Sequence, residues 1–235
     1  MRHSARGCSP SGVPIHHSMG HHRVVPIEPF SDFDPYGGEP EPDDLVGCLL
    51  VATPAIDDPI FWRRVIILLD HGAHGALGVA IDRPGGVAVE QFMPGWHSLA
   101  TAPAELFTGG PMARNSLIGL VRLASRGHGV EGAPGCPTGW RQVVDDDRPI
   151  GTVDLGSDPA GFADSMVAAR LFSGYAGWGS GQLEDEIEDG SWYVVRAEAR
   201  DPISADPEGL WRRVLRRQGG ALALVSGFPS DPTHN

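Results

Sequence analysis

The sequence predicts an α+β domain in which a mainly antiparallel sheet carries a few covering helices. Three observations predict it. Short unbroken apolar runs rich in β-formers recur along the chain and are too short for isolated helices. Two pairs of these runs are joined by connections of hairpin length, shorter than the helical crossover that parallel strands need. Two Asp-Pro pairs, Asp158-Pro159 and Asp206-Pro207, mark helix entries, each an N-cap carboxylate followed by proline at the first helical position. With 235 residues, 41% of them hydrophobic, the chain can supply one substantial core, so a single compact domain is expected.

Residues 1–44 are rich in Pro, Gly, His and Ser without sustained periodicity and read as a disordered tail. The domain takes 45–228, and 229–235 form a flexible C-terminus. In the tail, His16-His17 and His21-His22 could chelate a metal only if the ion itself ordered them, so no metal is assigned. Residues 49–52 and 65–69 read as strands buried on both faces. A third run places Leu77, Val79 and Ile81 on one side and only Gly78 and Ala80 on the other, letting a neighbouring backbone approach closely. Residues 70–75 join the second and third runs as a hairpin. Between the first two, 53–59 is a rigid connection, and Phe61 and Trp62 cap the core.

Residues 87–96 read as a short helix stopped by Pro94-Gly95 and covering one sheet face. Leu106-Phe107-Thr108 leads into Gly109-Gly110-Pro111, which is either a tight bend or the wall of a pocket whose bare backbone amides face a ligand. Residues 117–121 form another strand, 124–139 an exposed excursion, and 141–144 with 150–153 a hairpin across Asp145-Asp146-Asp147. Three adjacent aspartates could invite Mg²⁺, but in a turn they are ordinarily solvated. Residues 172–178 read as a strand turning through Gly177, and Gly179-Ser180-Gly181 opens a helix over 182–188. In the last helix Leu210, Trp211, Val214 and Leu215 form an apolar stripe flanked by Arg212, Arg213, Arg216 and Arg217.

Two stretches carry a resemblance. The pattern of GCLLVATPAIDDPIFWRRVIILLDHGAHGALGVAIDRP, followed by a separate Gly-Gly-Pro, resembles the AlgH (YqgE) family, and FSGYAGWGSGQLEDEIEDGSW resembles that family's other signature. The resemblance covers roughly residues 45–225 and implies a compact α+β fold with a large, mixed, bifurcated sheet. It implies no established reaction, and the family's naming as a bacterial transcriptional regulator is an association. Arg64 departs from the Arg-Ser pair more usual in the family, and Asp82 stands where the family more usually has Asn. Asp for Asn removes a donor and adds a charge.

Candidate residues follow from these stretches. Arg83 beside Asp82 can form a structural ion pair or meet an anion through its guanidinium fork. If the two signatures converge, a ligand- or partner-binding surface combines Arg83, Gly109, Gly110, Pro111, Trp178, Gly179 and Gln182. The glycine turn before Gln182 could hold an anion at a helix N-terminus, yet Glu184, Asp185 and Glu186 would satisfy the dipole and repel it. It is neither a Walker loop nor a dinucleotide fingerprint. Ser180 lacks the flanking glycines of a nucleophile elbow. His71 and His74 with Asp70 lack a third neutral ligand for a metal.

The function expected first is therefore a cytoplasmic, non-catalytic regulatory protein that binds a protein partner or a small ligand, with no cofactor. An enzyme built on Asp82, Arg83, His71 or Glu184 is the alternative. DNA binding is third: a formal net charge of −12 opposes an extended phosphate footprint, leaving the four arginines at 212–217 as the one place for nucleic acid. All 18 basic residues are Arg. Three cysteines without C-x-x-C spacing suggest neither a disulfide framework nor a zinc site. No apolar run reaches the ~20 residues of a membrane span, and the N-terminus lacks the apolar stretch of a secretory signal.

Overall fold

The structure, a computed structural model, describes residues 45–130 and 132–229. The readings made for the tail, its histidine pairs and 230–235 lie outside the described residues. Ten strands form one sheet: β1 (Cys48–Ala52), β2 (Val65–Gly72), β3 (Gly75–Ala80), β4 (Pro84–Ala88), β5 (Glu105–Thr108), β6 (Met112–Leu123), β7 (Arg141–Val144), β8 (Ile150–Val153), β9 (Met166–Gly179) and β10 (Trp192–Arg196). Four helices accompany them among the described residues: α1 (Val89–Phe92), α2 (Gln182–Glu188), α3 (Leu210–Gln218) and α4 (Gly220–Val225). The architecture is α+β, with a main strand order β10-β1-β2-β3-β9-β6-β8-β7.

The branch lies on β9. Its Met166–Tyr175 part pairs with β6 on one side. On the other side it pairs in parallel with β5 at Phe172 and Ser173, then antiparallel with β3 from Ala176 to Gly179. Gly174 sits between the two pairings with φ +72°, a conformation closed to most side chains. The strand does not turn at Gly177, as the sequence reading has it, but runs on through it to Gly179. The bend falls instead at Gly174, where a backbone with positive φ lets one strand serve two partners.

Burial follows the two-residue period of the strands. Leu49, Val51, Val65, Ile67, Leu77 and Val79 face one core with Leu210, Trp211, Val214 and Leu215 of α3. Leu50, Ala52, Ile66, Leu68, Ala76 and Ala80 face a second core, with Leu183 of α2, Trp178 and Trp192. Alternate side chains thus reach opposite sides, and both faces are apolar because helices cover both. Gly78 keeps its narrow side: a Cβ there would lie 2.7 Å from Ile66 Cγ2 and from the Ile67 carbonyl oxygen. Trp211 fixes α3 by donating its indole N–H to the Ala52 carbonyl at 2.8 Å.

Two helix boundaries differ from the sequence reading. Residues 84–88 are strand, so α1 begins at Val89, and Pro94 opens a 3-10 turn (Pro94–Leu99) instead of only ending a helix. Proline supplies the fixed φ of a first helical position as readily as it blocks a later one. Asp158 caps its 3-10 helix as expected, accepting from the Ala160 N–H. Asp206 accepts from Gly209 N–H, and α3 starts one turn after its Asp-Pro signal. No helix of the described residues is long and apolar enough to cross a membrane.

Candidate functional site

The Gly109-Gly110-Pro111 segment is locked between strands. The Ala80 N–H donates to the Gly109 carbonyl at 2.8 Å, and the Gly109 N–H donates to the Ser173 carbonyl at 2.9 Å. A Cβ on Gly109 would fall 2.3 Å from the Gly174 carbonyl oxygen, and one on Gly110 would fall 2.2 Å from the Tyr175 carbonyl carbon. Only glycine permits that approach. The same segment walls a hollow of about 220 Å³, so the tight bend and the pocket wall are one feature.

Opposite the glycines, the turn before β2 contributes Ile60 and Phe61, the sheet contributes Ile66 and Ala80, and Thr108, Arg64 and Arg114 supply polar groups. Arg64 donates from Nε to the Ile60 carbonyl at 2.7 Å. Its Nη1 is buried without a hydrogen-bond partner, the nearest carboxylate oxygen being Asp82 Oδ1 at 3.9 Å. Burial pulls the Arg64 pKa down, partly opposed by Asp82. Asp82, 2% exposed, lies behind Arg64 and accepts from the Val65 N–H at 3.4 Å. Its second oxygen lies 3.4 Å from Arg83 Nε. Burial raises the Asp82 pKa to about 6, against the opposing pull of Arg64 and Arg83.

The candidate residues therefore divide. Gly109, Gly110 and Pro111 line the hollow. Arg83 does not; its guanidinium pairs with Asp82 and reaches the Trp62 carbonyl at 3.5 Å. Trp178 and Gly179 pair with Ala76 and Gly75, at the far end of β3 from the Ala80–Gly109 link. Trp178 shares the sheet face of the hollow through an aromatic row, Phe61 to Trp192 at 5.9 Å and Trp192 to Trp178 at 6.1 Å.

Around Trp178 the polar groups satisfy one another. Glu186 Oε2 accepts from the Trp178 and Trp192 indoles at 2.9 and 2.8 Å, while its Oε1 accepts from Gln182 Nε2. Gln182 Oε1 accepts from the Gly179 N–H at 3.0 Å. Thus the spacing Trp178, Gln182, Glu186, Trp192 closes a hydrogen-bonded clamp.

The alternative acid and base residues also separate. His71 Nε2 lies 2.9 Å from Glu184 Oε1, with His71 Nδ1 accepting from the Leu45 N–H, whereas Asp82 and Arg83 follow the opposite end of β3. Of the α3 arginines, Arg217 is bidentate to Asp201 and Arg213 pairs with Asp206. Among the described residues no cluster of His, Cys, Asp and Glu is arranged to hold a metal. Sequence reasoning missed Thr108, Arg114 and the Nη1 of Arg64, which is ion-paired with Asp82 but makes no hydrogen bond; the one signal was Arg64 itself, as a departure.

Comparison with known proteins gives a consistent result. Residues 49–223 match a family model described as AlgH-like. A UPF0301 protein of Streptomyces avermitilis is 48% identical over 84% of this chain and 99% of its own, and one of Thermobifida fusca is 44% identical over 81% and 96%. The crystal structure of protein DIP2367 from Corynebacterium diphtheriae superposes with a TM-score of 0.66 at 31% identity, covering 77% of this chain and 91% of that one. The solution structure of the AlgH protein from Pseudomonas aeruginosa gives 0.56 at 23% identity over 83% and 100%, a likeness of fold.

Proposed function

The chain belongs to the AlgH-like family, and from that premise we propose that it is a non-catalytic regulatory binding protein whose hollow beside Gly109-Gly110-Pro111 receives a small ligand bearing an anionic group. The observation that carries this reading is Arg64, a lining residue with a buried Nη1 that has no hydrogen-bond partner. An unsatisfied buried donor on a cation is costly, and a carboxylate arriving at the guanidinium fork would complete it. Arg114 adds a second positive charge and Thr108 a hydroxyl, while Ile60, Phe61 and Ala80 would cover an apolar body. The volume is below that of drug-sized pockets, about 300–1,000 Å³, which suits a small metabolite. Binding in the cytoplasm belongs to the same proposal.

The enzyme alternative near Asp82 and Arg83 rests on one observation, a carboxyl whose pKa of about 6 suits proton transfer near neutrality. Its burial behind Arg64 favours the binding reading. DNA-binding regulation is disfavoured by the net charge of −12 and by the carboxylates already paired with Arg213 and Arg217.

The test is a thermal-unfolding screen of the full chain against small carboxylates, nucleotides and other metabolites. A ligand at 100 times its Kd adds about 2.7 kcal/mol of stability. A shift lost in Arg64→Ser and Arg114→Ala supports the hollow. A flat screen sends the reading to a protein partner, and a shift unaffected by both variants places the ligand elsewhere.

A further inference from the structure

A second cleft, of about 390 Å³, opens between the end of β6 and the chain that follows β10; it is lined by Arg122, Arg200, Asp201, Ser204 and Arg213 and shares no lining residue with the hollow. We propose that it binds a small phosphorylated anion. Three guanidinium groups line it, and its one lining carboxylate is already engaged: Asp201, 2% exposed, holds Arg217 through two bonds of 2.7 Å.

Of the three lining arginines, two have carboxylate neighbours. Arg200 Nε meets Glu198 at 2.6 Å and Arg213 Nη1 meets Asp206 at 2.8 Å. Arg122 is different. Among the described residues no carboxylate lies within ion-pair distance of it, and its Nε is buried without a hydrogen-bond partner. Such a group calls for an explanation, and its position on the cleft wall supplies one.

Neighbouring charge does not neutralise it. Arg122 lies opposite Ala168 and Leu120 opposite Arg170 across the β6–β9 ladder, so Arg170 shares the face of Arg122. Arg170 donates from Nη1 to the Ser204 carbonyl at 2.8 Å and the Pro202 carbonyl at 3.4 Å, and so holds the loop that forms the cleft wall, while its own Nε, like that of Arg122, is buried without a hydrogen-bond partner. Glu198, Asp206 and Asp201 match Arg200, Arg213 and Arg217, so Arg122 is the lining cation left without a carboxylate in a chain whose net charge is −12.

The lining selects the ligand chemistry. A phosphoryl group carries three acceptor oxygens, one for each of the three lining guanidinium groups; a single carboxylate offers two. Guanidinium forks suit phosphate oxygens bidentately.

The experiment is calorimetric titration of the full chain with inorganic pyrophosphate, inorganic phosphate and sulfate at low salt. We expect saturable binding of a phosphate compound that weakens at least tenfold in Arg122→Gln and several-fold in Arg200→Gln. Arg200 has an exposed side chain, so its variant keeps the test valid if Arg122→Gln does not fold. Pyrophosphate binding more tightly than phosphate points to a phosphorylated metabolite; the reverse points to free phosphate. No saturable binding by millimolar concentrations, sulfate binding as tightly as both, or equal affinity in folded Arg122→Gln overturns the proposal. Because the two sites share no lining residue, failure here leaves the hollow untouched.

Discussion

Replacing Glu186 with alanine tests whether the second signature is a clamp. Glu186 Oε2 accepts from two indole N–H groups, at 2.9 Å from Trp178 and 2.8 Å from Trp192, and both tryptophans are at most 6% exposed. Deleting the carboxylate strands both donors in a site with little access to water. Two hydrogen bonds to a charged group at about 1.5–3 kcal/mol each give an expected cost of about 3–6 kcal/mol for Glu186→Ala. At about 2–4 °C per kcal/mol for a chain of this size, Tm falls by roughly 10 °C. Trp178→Phe removes one donor and leaves the acceptor the other, so it should cost about half as much, and the double variant should cost less than the sum. Urea unfolding followed by fluorescence and circular dichroism measures all three. A Glu186→Ala cost below about 1 kcal/mol, or strict additivity with Trp178→Phe, refutes the clamp.

Gly110→Ala forces a Cβ onto the Tyr175 backbone and should abolish soluble folded protein or cost more than about 3 kcal/mol. Gly72→Ala meets nothing within 4 Å and should stay within about 0.5 kcal/mol; paired denaturation curves compare them. Asp82 gives a pH dependence. Its folded pKa of about 6 exceeds the ordinary 3.8, so the folded state holds the proton more tightly, and stability falls as pH rises through the 4–6 window and levels off above it. At about 1.4 kcal/mol per unit, the stability gap between wild type and Asp82→Asn should move by up to about 3 kcal/mol in favour of the variant between pH 4 and 7; a pH-independent gap contradicts it. Arg217→Ala leaves the buried Asp201 without its bidentate partner and should cost about 3–5 kcal/mol in thermal unfolding.

Much of the fold was legible because its signals are local. The alternation of Leu77, Val79 and Ile81 against Gly78 and Ala80 specified the two faces of β3, and the glycine-bearing 70–75 connection specified its hairpin with β2. Residues 84–88 were not legible as strand, since Pro-Gly-Gly has low β-propensity and β4 forms by pairing with β5, a partner about twenty residues away. The parallel contact of β5 with β9 is longer-range still. In the site, the Gly109-Gly110 pair was readable as a bend or wall, but its reason is the close approach of the Gly174 and Tyr175 backbone and not a positive φ. The separation of Trp178 and Gln182 from the hollow was not, because register along β3 decides it. Arg122 carried no local signal at all: its lack of a partner exists only once the strand and the 198–206 loop have assembled.

The most direct test of the binding reading is an amide chemical-shift titration of the isotope-labelled full chain with benzoate, a carboxylate on an apolar ring that fits the composition of the hollow. We predict saturable shifts at Thr108, Gly109, Gly110 and Phe61 that disappear in Arg64→Ser. Absent shifts for benzoate and for every carboxylate that follows it, or shifts that persist unchanged without Arg64, would contradict the assignment of the hollow as a ligand site.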